Sequence, residues 1–219
     1  MIPIKDLNPH RSFPVVNLGI IALCSALWLY EVSLPKEELN IFVYEYGLVP
    51  AQVLSNPHTL LTHMFLHGSW LHIIGNMWFL WVFGDNVEDR LGRFKYLAFY
   101  ILSGLGAAFL QTLVSFIFGG EEVPMVGASG AISGVLGAYL RLFPHARILA
   151  LVPVFIFLAF MELPAFLFIG MWFLIQLING LVFLPFAGMG GVAWFAHVGG
   201  FLVGYYFVRL FYRKGFYYM

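Results

Sequence analysis

Apolar residues in this chain run in long stretches broken by short polar segments, instead of alternating or recurring at a single amphipathic period. A bilayer core takes about 20 apolar residues of helix to cross. Stretches of that length lie at about 13–31, 60–83, 94–118, 125–143, 163–183 and 192–212. A seventh, Ile148–Met161, is shorter and interrupted by Pro153. It alternates in side-chain size and runs into Glu162-Leu163-Pro164, which reads as the start of a new helix. The pattern predicts an all-α membrane protein, a bundle of six transmembrane helices, with 148–161 as an interfacial or strand-like connection. No charge run, low-complexity tract or Ser/Pro-rich linker marks a boundary, so residues 1–219 are expected to form a single domain.

Charge decides between six spans and seven. With six, Lys5, Arg11, Arg90, Arg93, Lys95, Arg141, Arg147, Arg209, Arg213 and Lys214 share one side, leaving only Lys36 opposite. That asymmetry fits the positive-inside rule, and a seventh span would send the last three basic residues across. The expected location is the cell membrane, multi-pass, with both termini cytoplasmic and the longest connection, roughly 32–59, outside. Lys5 and Arg11 precede the apolar stretch 13–30 as in a signal peptide, but no small-residue cleavage site follows, so the stretch reads as a retained first span. Composition agrees: 61% of residues are hydrophobic and 10% charged, where a soluble domain carries roughly a quarter charged. Net charge is zero, which gives no reason to expect a nucleic-acid partner. The lone Cys24 excludes a disulfide framework within the chain and reads as a small packing residue.

Against this apolar background a few polar residues stand out. Spans 2, 4 and 6 run in the same direction, so their first turns share one depth. Span 4 opens with Gly127-Ala128-Ser129-Gly130 and continues to Ser133-Gly134, and span 6 carries Ala196-His197-Val198-Gly199-Gly200 before Gly204. If the second helix is capped by Ser69, then His72 and Asn76 fall in its first two turns, about 6–10 Å below the helix starts. Polar and ionisable groups at such depth are costly and mark functional sites by default. The small-xxx-small spacings Gly130/Gly134 and Gly200/Gly204 by themselves indicate close helix packing. Packing and chemistry are compatible, because small residues let spans 4 and 6 approach closely enough for Ser129 to reach His197. A serine hydroxyl becomes a nucleophile when a neighbouring neutral imidazole takes its proton. Positions 125–143 and 192–212 hold no Asp or Glu, so the expected site is a dyad. His72 and Asn76, four apart on one helix face, and the Ser129 amide near a helix N-terminus are the candidate donors to a developing oxyanion.

These residues resemble the rhomboid family of intramembrane serine proteases over about 60–208. Residues 67–76, His-Gly-Ser-Trp-Leu-His-Ile-Ile-Gly-Asn, are similar to the family's second-span pattern of two histidines and an asparagine. Gly84, Glu88 and Gly92 match its G-x-x-x-E-x-x-x-G element, residues 127–130 its G-x-S-G motif and residues 196–200 its A-H-x-x-G motif. The resemblance implies a rhomboid-type six-helix bundle with a long outer first loop. It implies Ser129 as nucleophile, His197 as base, and His72, Asn76 and the Ser129 amide as the oxyanion hole. The remaining motif positions, His67, Glu88, Gly127, Gly130, Gly200 and Gly204, would be structural. His67 lies about 140° round a helix from His72 by spacing and would hydrogen-bond beneath the first loop, while Glu88 would accept backbone hydrogen bonds at the inner helix end. The implied partners are the lipid bilayer and single-span membrane proteins cut in or near the span, without metal or other cofactor. Residues 185–191 would cap the site. Bulky residues along span 5, Trp172 and Phe173 among them, suggest loose packing and substrate entry on that side. The chain departs from the commoner family residues at His58-Thr59, where many members have Trp-Arg, and at Ser133, where many have an aromatic stacked on the base.

Other readings fit less of the pattern. His63 and His67 have chelating i, i+4 spacing with His72 nearby, but the glutamate of H-E-x-x-H is missing. A catalytically silent rhomboid-like protein that binds membrane helices would be expected to lack Ser129 or His197. A transporter would need inverted repeats or charged pairs within its spans. The G-x-S-x-G elbow fails at Ala131.

Overall fold

The structure is a computed structural model and describes residues 1–154 and 156–212. Arg213 and Lys214, two of the basic residues in the topology argument, lie outside the described residues. The apolar stretches fold as helices α1 (Val15–Glu31), α4 (Trp70–Leu91), α5 (Arg93–Phe118), α6 (Ser129–Leu142), α7 (Ala165–Phe183) and α8 (Trp194–Phe211). Two stretches, Arg93–Phe118 and Ala165–Met189, are each long and apolar enough to cross a membrane unaided, and α1 is apolar but shorter. The first connection is itself structured, with α2 (Lys36–Tyr46), a 3-10 turn at Pro50–Gln52, α3 (Thr59–Thr62) and a second 3-10 turn at His63–Phe65.

The second apolar stretch begins at residue 60, yet its long helix begins ten residues later at Trp70. Leu66 and Ser69 are extended, and the Ser69 hydroxyl accepts the His72 amide at 3.2 Å as the α4 N-cap. The apolar residues before this break face protein: Met64 and Leu66 are buried, and Met64 fills the space left by Gly104 of α5. At its other end α4 runs past the apolar stretch because its polar residues have partners. Glu88 accepts the amides of Val16 at 3.0 Å and Asn17 at 2.7 Å, satisfying free donors at the start of α1. Gly84 makes room for the Asn17 side chain, and Gly92, at φ 80°, turns the chain into α5.

The helical bundle carries a small sheet that an all-α class leaves out, at the strand-like connection expected for 148–161. Strands β2 (Arg147–Val154) and β3 (Phe157–Pro164) pair antiparallel, and the N-terminal β1 (Ile2–Asp6) adds to them in the order β1-β2-β3, also antiparallel. A stretch too short for a span has to satisfy its backbone some other way, and strand pairing does so. Asp6 ends β1 under the bundle, where its carboxylate accepts from Tyr139 of α6 and Asn86 of α4, both at 2.8 Å.

The core sits among α4, α5, α6 and α8, with Phe83, Tyr96, Phe99, Tyr100 and Tyr139 fully enclosed. Pairing of α6 with α8 is backbone on backbone. A methyl added to Gly200 would meet the carbonyl oxygen of Gly130, one on Gly204 that of Gly134, and one on Gly137 that of Phe201. The first two contacts advance together along both helices, so α6 and α8 run parallel with their N-termini side by side.

Candidate active site

Helix α6 has 14 residues, about 21 Å of rise, which is less than the roughly 30 Å of a bilayer core. Ser129 is its first residue. The parallel pairing with α8 brings His197, in the first turn of that helix, alongside: Ser129 Oγ lies 2.8 Å from His197 Nε2. Ser129 is half-buried and His197 buried.

The N-terminus of α4 closes the third side. Gly68 donates its amide to His72 Nδ1 at 3.4 Å, which leaves the hydrogen of a neutral ring on Nε2. That Nε2 borders Gly127, whose φ of 130° suits glycine, and an added methyl there would sit 2.7 Å from His72 Nε2 and 3.6 Å from Ser129 Oγ. The bare α-carbon thus keeps open the space between histidine and serine. Asn76 lies one turn deeper, and its buried Nδ2 has no hydrogen-bond partner among the described residues. His72, Asn76, Ser129 and His197 all line one cavity of about 880 Å³, bordered by α7 and by the 3-10 segment Leu184–Met189.

The other motif residues sit around this centre. His67 is not on α4 but in the extended break before it. Its amide donates to the buried Glu31 carboxylate at 3.3 and 3.2 Å, and its ring meets that of His72 edge-on, with centroids 5.2 Å apart. His63 directs Nδ1 at the Thr59 carbonyl, 2.7 Å away. Among the described residues no group of three or more His, Cys, Asp and Glu side chains is arranged to hold a metal ion. At the two departures from the commoner family residues, His58 Nε2 reaches the Glu45 carbonyl at 3.0 Å, and the Ser133 hydroxyl donates to the Ser129 carbonyl at 2.6 Å. Aromatic neighbours of His197 come from α7 and α8 instead: Trp172 lies 6.1 Å from its ring, centroid to centroid, and Trp194 meets it edge-on at 6.0 Å.

Two site residues escaped the sequence reading. Gln176 of α7 places Oε1 2.9 Å from His197 Nδ1, and Gln111 of α5 accepts the Ala196 amide at 3.2 Å. The signal for both was available, since a lone glutamine inside an apolar span needs a partner.

Residues 55–214 match the family model described as the Rhomboid domain. The presenilin-associated rhomboid-like protein A, mitochondrial, of Danio rerio is 33% identical over 148 residues, covering 66% of this chain and 35% of the relative. Rhomboid protein 1, mitochondrial, of Saccharomyces cerevisiae is 30% identical over 152 residues, 68% of this chain and 42% of the relative. The human presenilin-associated rhomboid-like protein, mitochondrial, is 31% identical over 195 residues, 89% of this chain and 46% of the relative. The chain therefore spans less than half the length of each. All three are described as mitochondrial, which stands against the cell-membrane location expected from the sequence. Charge asymmetry orders the two faces of a membrane but does not say which membrane it is. With a family-model match over most of its length, and a helical membrane bundle to go with it, this chain belongs to the rhomboid family.

Proposed function

We propose that this protein is an intramembrane serine endopeptidase that cuts single-span membrane proteins in or beside the span, with α1, α4, α5, α6, α7 and α8 as its six spans. The observation that carries the reading is the 2.8 Å contact between Ser129 Oγ and His197 Nε2 inside a cavity lined with further donors. His197 Nε2 takes the hydroxyl proton as Ser129 Oγ bonds to the substrate carbonyl carbon. The carbonyl oxygen becomes an oxyanion, received by Asn76 Nδ2, His72 Nε2–H and the Ser129 amide at the α6 N-terminus. Collapse breaks the peptide C–N bond, and the imidazolium gives its proton to the leaving amine. Water entering the cavity repeats the sequence on the acyl-enzyme and frees Ser129. Asn76 supports the assignment: a buried amide with an unused donor is costly unless a ligand uses it. The names of the relatives favour a mitochondrial membrane as the setting.

The test is cleavage of a single-span reporter by the purified protein in liposomes, alongside labelling by a fluorophosphonate. Both are expected in the unaltered protein and neither in Ser129→Ala. Equal cleavage by Ser129→Ala would overturn the reading.

A further inference from the structure

A histidine base works only if the nitrogen facing the nucleophile is unprotonated, and a neutral imidazole has two tautomers to choose from. Near His197 the choice is made by an amide. Gln176 sits in the middle of α7, buried, with Nε2 3.2 Å from the Trp172 carbonyl one turn earlier on the same helix. A carbonyl oxygen only accepts, so this contact assigns the amide nitrogen to that side and turns Oε1 toward His197. Oε1 also only accepts, and it lies 2.9 Å from Nδ1. Nδ1 must then carry the hydrogen, and Nε2, 2.8 Å from Ser129 Oγ, must be the free acceptor.

We propose that Gln176 is a positioning residue, the third member of a Ser129–His197–Gln176 relay in which α7 sets the tautomer and ring orientation of the base. This rests on the serine-protease reading above and refines it. The amide does in neutral form what a carboxylate does in water-soluble triads, where the group behind the histidine orients it and remains unprotonated. A neutral partner suits an apolar span, because a carboxylate there would have to be desolvated before any substrate bound. The relay also acts differentially. Once His197 holds the serine proton, its Nδ1–H becomes a charged donor, and hydrogen bonds from charged donors are roughly twice as strong as neutral ones. Gln176 therefore favours the ion pair of the transition state over the resting dyad. Trp172, a turn before Gln176 and beside the imidazole, adds a second α7 contact to the base, where Ser133 on α6 supplies no ring.

Three variants test the assignment in liposomes with a single-span reporter, with kcat and KM measured separately and Ser129 labelling by a fluorophosphonate followed in parallel. Gln176→Leu keeps the bulk and removes the acceptor. It is expected to lower kcat by about 10- to 100-fold with KM little changed, to slow labelling in step, and to keep its melting temperature. Gln176→Glu offers an oxygen acceptor to Nδ1 whether or not it is ionised, and is expected to recover most of the lost kcat. Gln176→Met, of similar length with only a weak acceptor, is expected to resemble the leucine variant. Unchanged kcat and labelling in Gln176→Leu would overturn the assignment. So would a glutamate variant no better than the leucine one, or a loss that tracks thermal stability. If the unaltered protein neither cleaves nor is labelled, the protease reading itself falls, a result distinct from any of these.

Discussion

Gly200 on α8 lies against the carbonyl oxygen of Gly130 on α6 with no room for a single methyl group between them. The obstacle is backbone, which cannot rotate away as a side chain would. Gly200→Ala is therefore expected to push the two helices apart and destabilise the protein by about 1–3 kcal/mol. It should also remove more than nine-tenths of the activity, since Ser129 and His197 are carried on these same two helices. Gly19 and Gly170 have nothing within 4 Å of an added methyl, so alanine there should be neutral or slightly stabilising. Melting curves and reporter cleavage on the three variants separate the cases.

Ser129 and His197 act as one unit if the imidazole exists to take the hydroxyl proton. Ser129→Ala and His197→Ala are each expected to abolish detectable cleavage, and the double variant to be no worse than either. Additive losses, measured as a double-mutant cycle on kcat/KM, would mean that each residue works by a separate route.

Asn76→Ala is expected to lower kcat by about one to three decades with little change in KM, the mark of a donor used mainly in the transition state. Removing the amide should not cost stability through lost partners, because Nδ2 has none among the described residues at rest. Loss of substrate affinity alone, read from KM, would instead make Asn76 a substrate-positioning group.

Asp6, at the end of β1, gives stability a pH dependence. Burial pushes its carboxyl up to about 7, with nearby Asp85 adding to the rise and the hydrogen bond from Tyr139 and the neighbouring His10 opposing it. In the unfolded chain the group titrates near 3.8. Between those values the folded state holds a proton that the unfolded state has lost, so the Asp6 contribution to stability declines as pH rises from about 4 to 7 and then levels off. Asp6→Asn keeps an acceptor for Tyr139 and removes the charge. Its melting temperature should match the unaltered protein near pH 4 and exceed it by about 2–8 °C at pH 8, for roughly 1–2 kcal/mol after allowing for partial exposure. An equal difference at both pH values would place the effect in packing rather than ionisation.

The helices were legible because each apolar stretch has to be satisfied by lipid or core, and the shared direction of three of them put His72, Asn76, Ser129 and His197 at one depth. Parts that depend on partners distant in the chain were harder to read. Nothing in residues 2–6 announces that they will pair with 148–151, since a strand of five residues has little pattern of its own. The start of α4 was misplaced because apolarity does not distinguish residues facing lipid from residues facing protein, and Leu60–Leu66 belong largely to the second kind. Gln176 was missed for a related reason. Residues 125–143 and 192–212 hold no carboxylate to face His197, whereas the group that does so is an amide on another helix.

The glycine contacts between α6 and α8 also bear on how the bilayer reaches the chemistry. A thinner or thicker membrane tilts helices to match their apolar length to the hydrocarbon. Two helices in main-chain contact are expected to tilt together, carrying the 2.8 Å pair of Ser129 and His197 with them. Helix α7 meets its neighbours through side chains such as Phe173, stacked on Phe201 at 4.2 Å between centroids, and has freedom to shift relative to the pair. The 2.9 Å contact of Gln176 with His197 crosses that seam, so turnover in vesicles of different acyl-chain length is expected to vary through it.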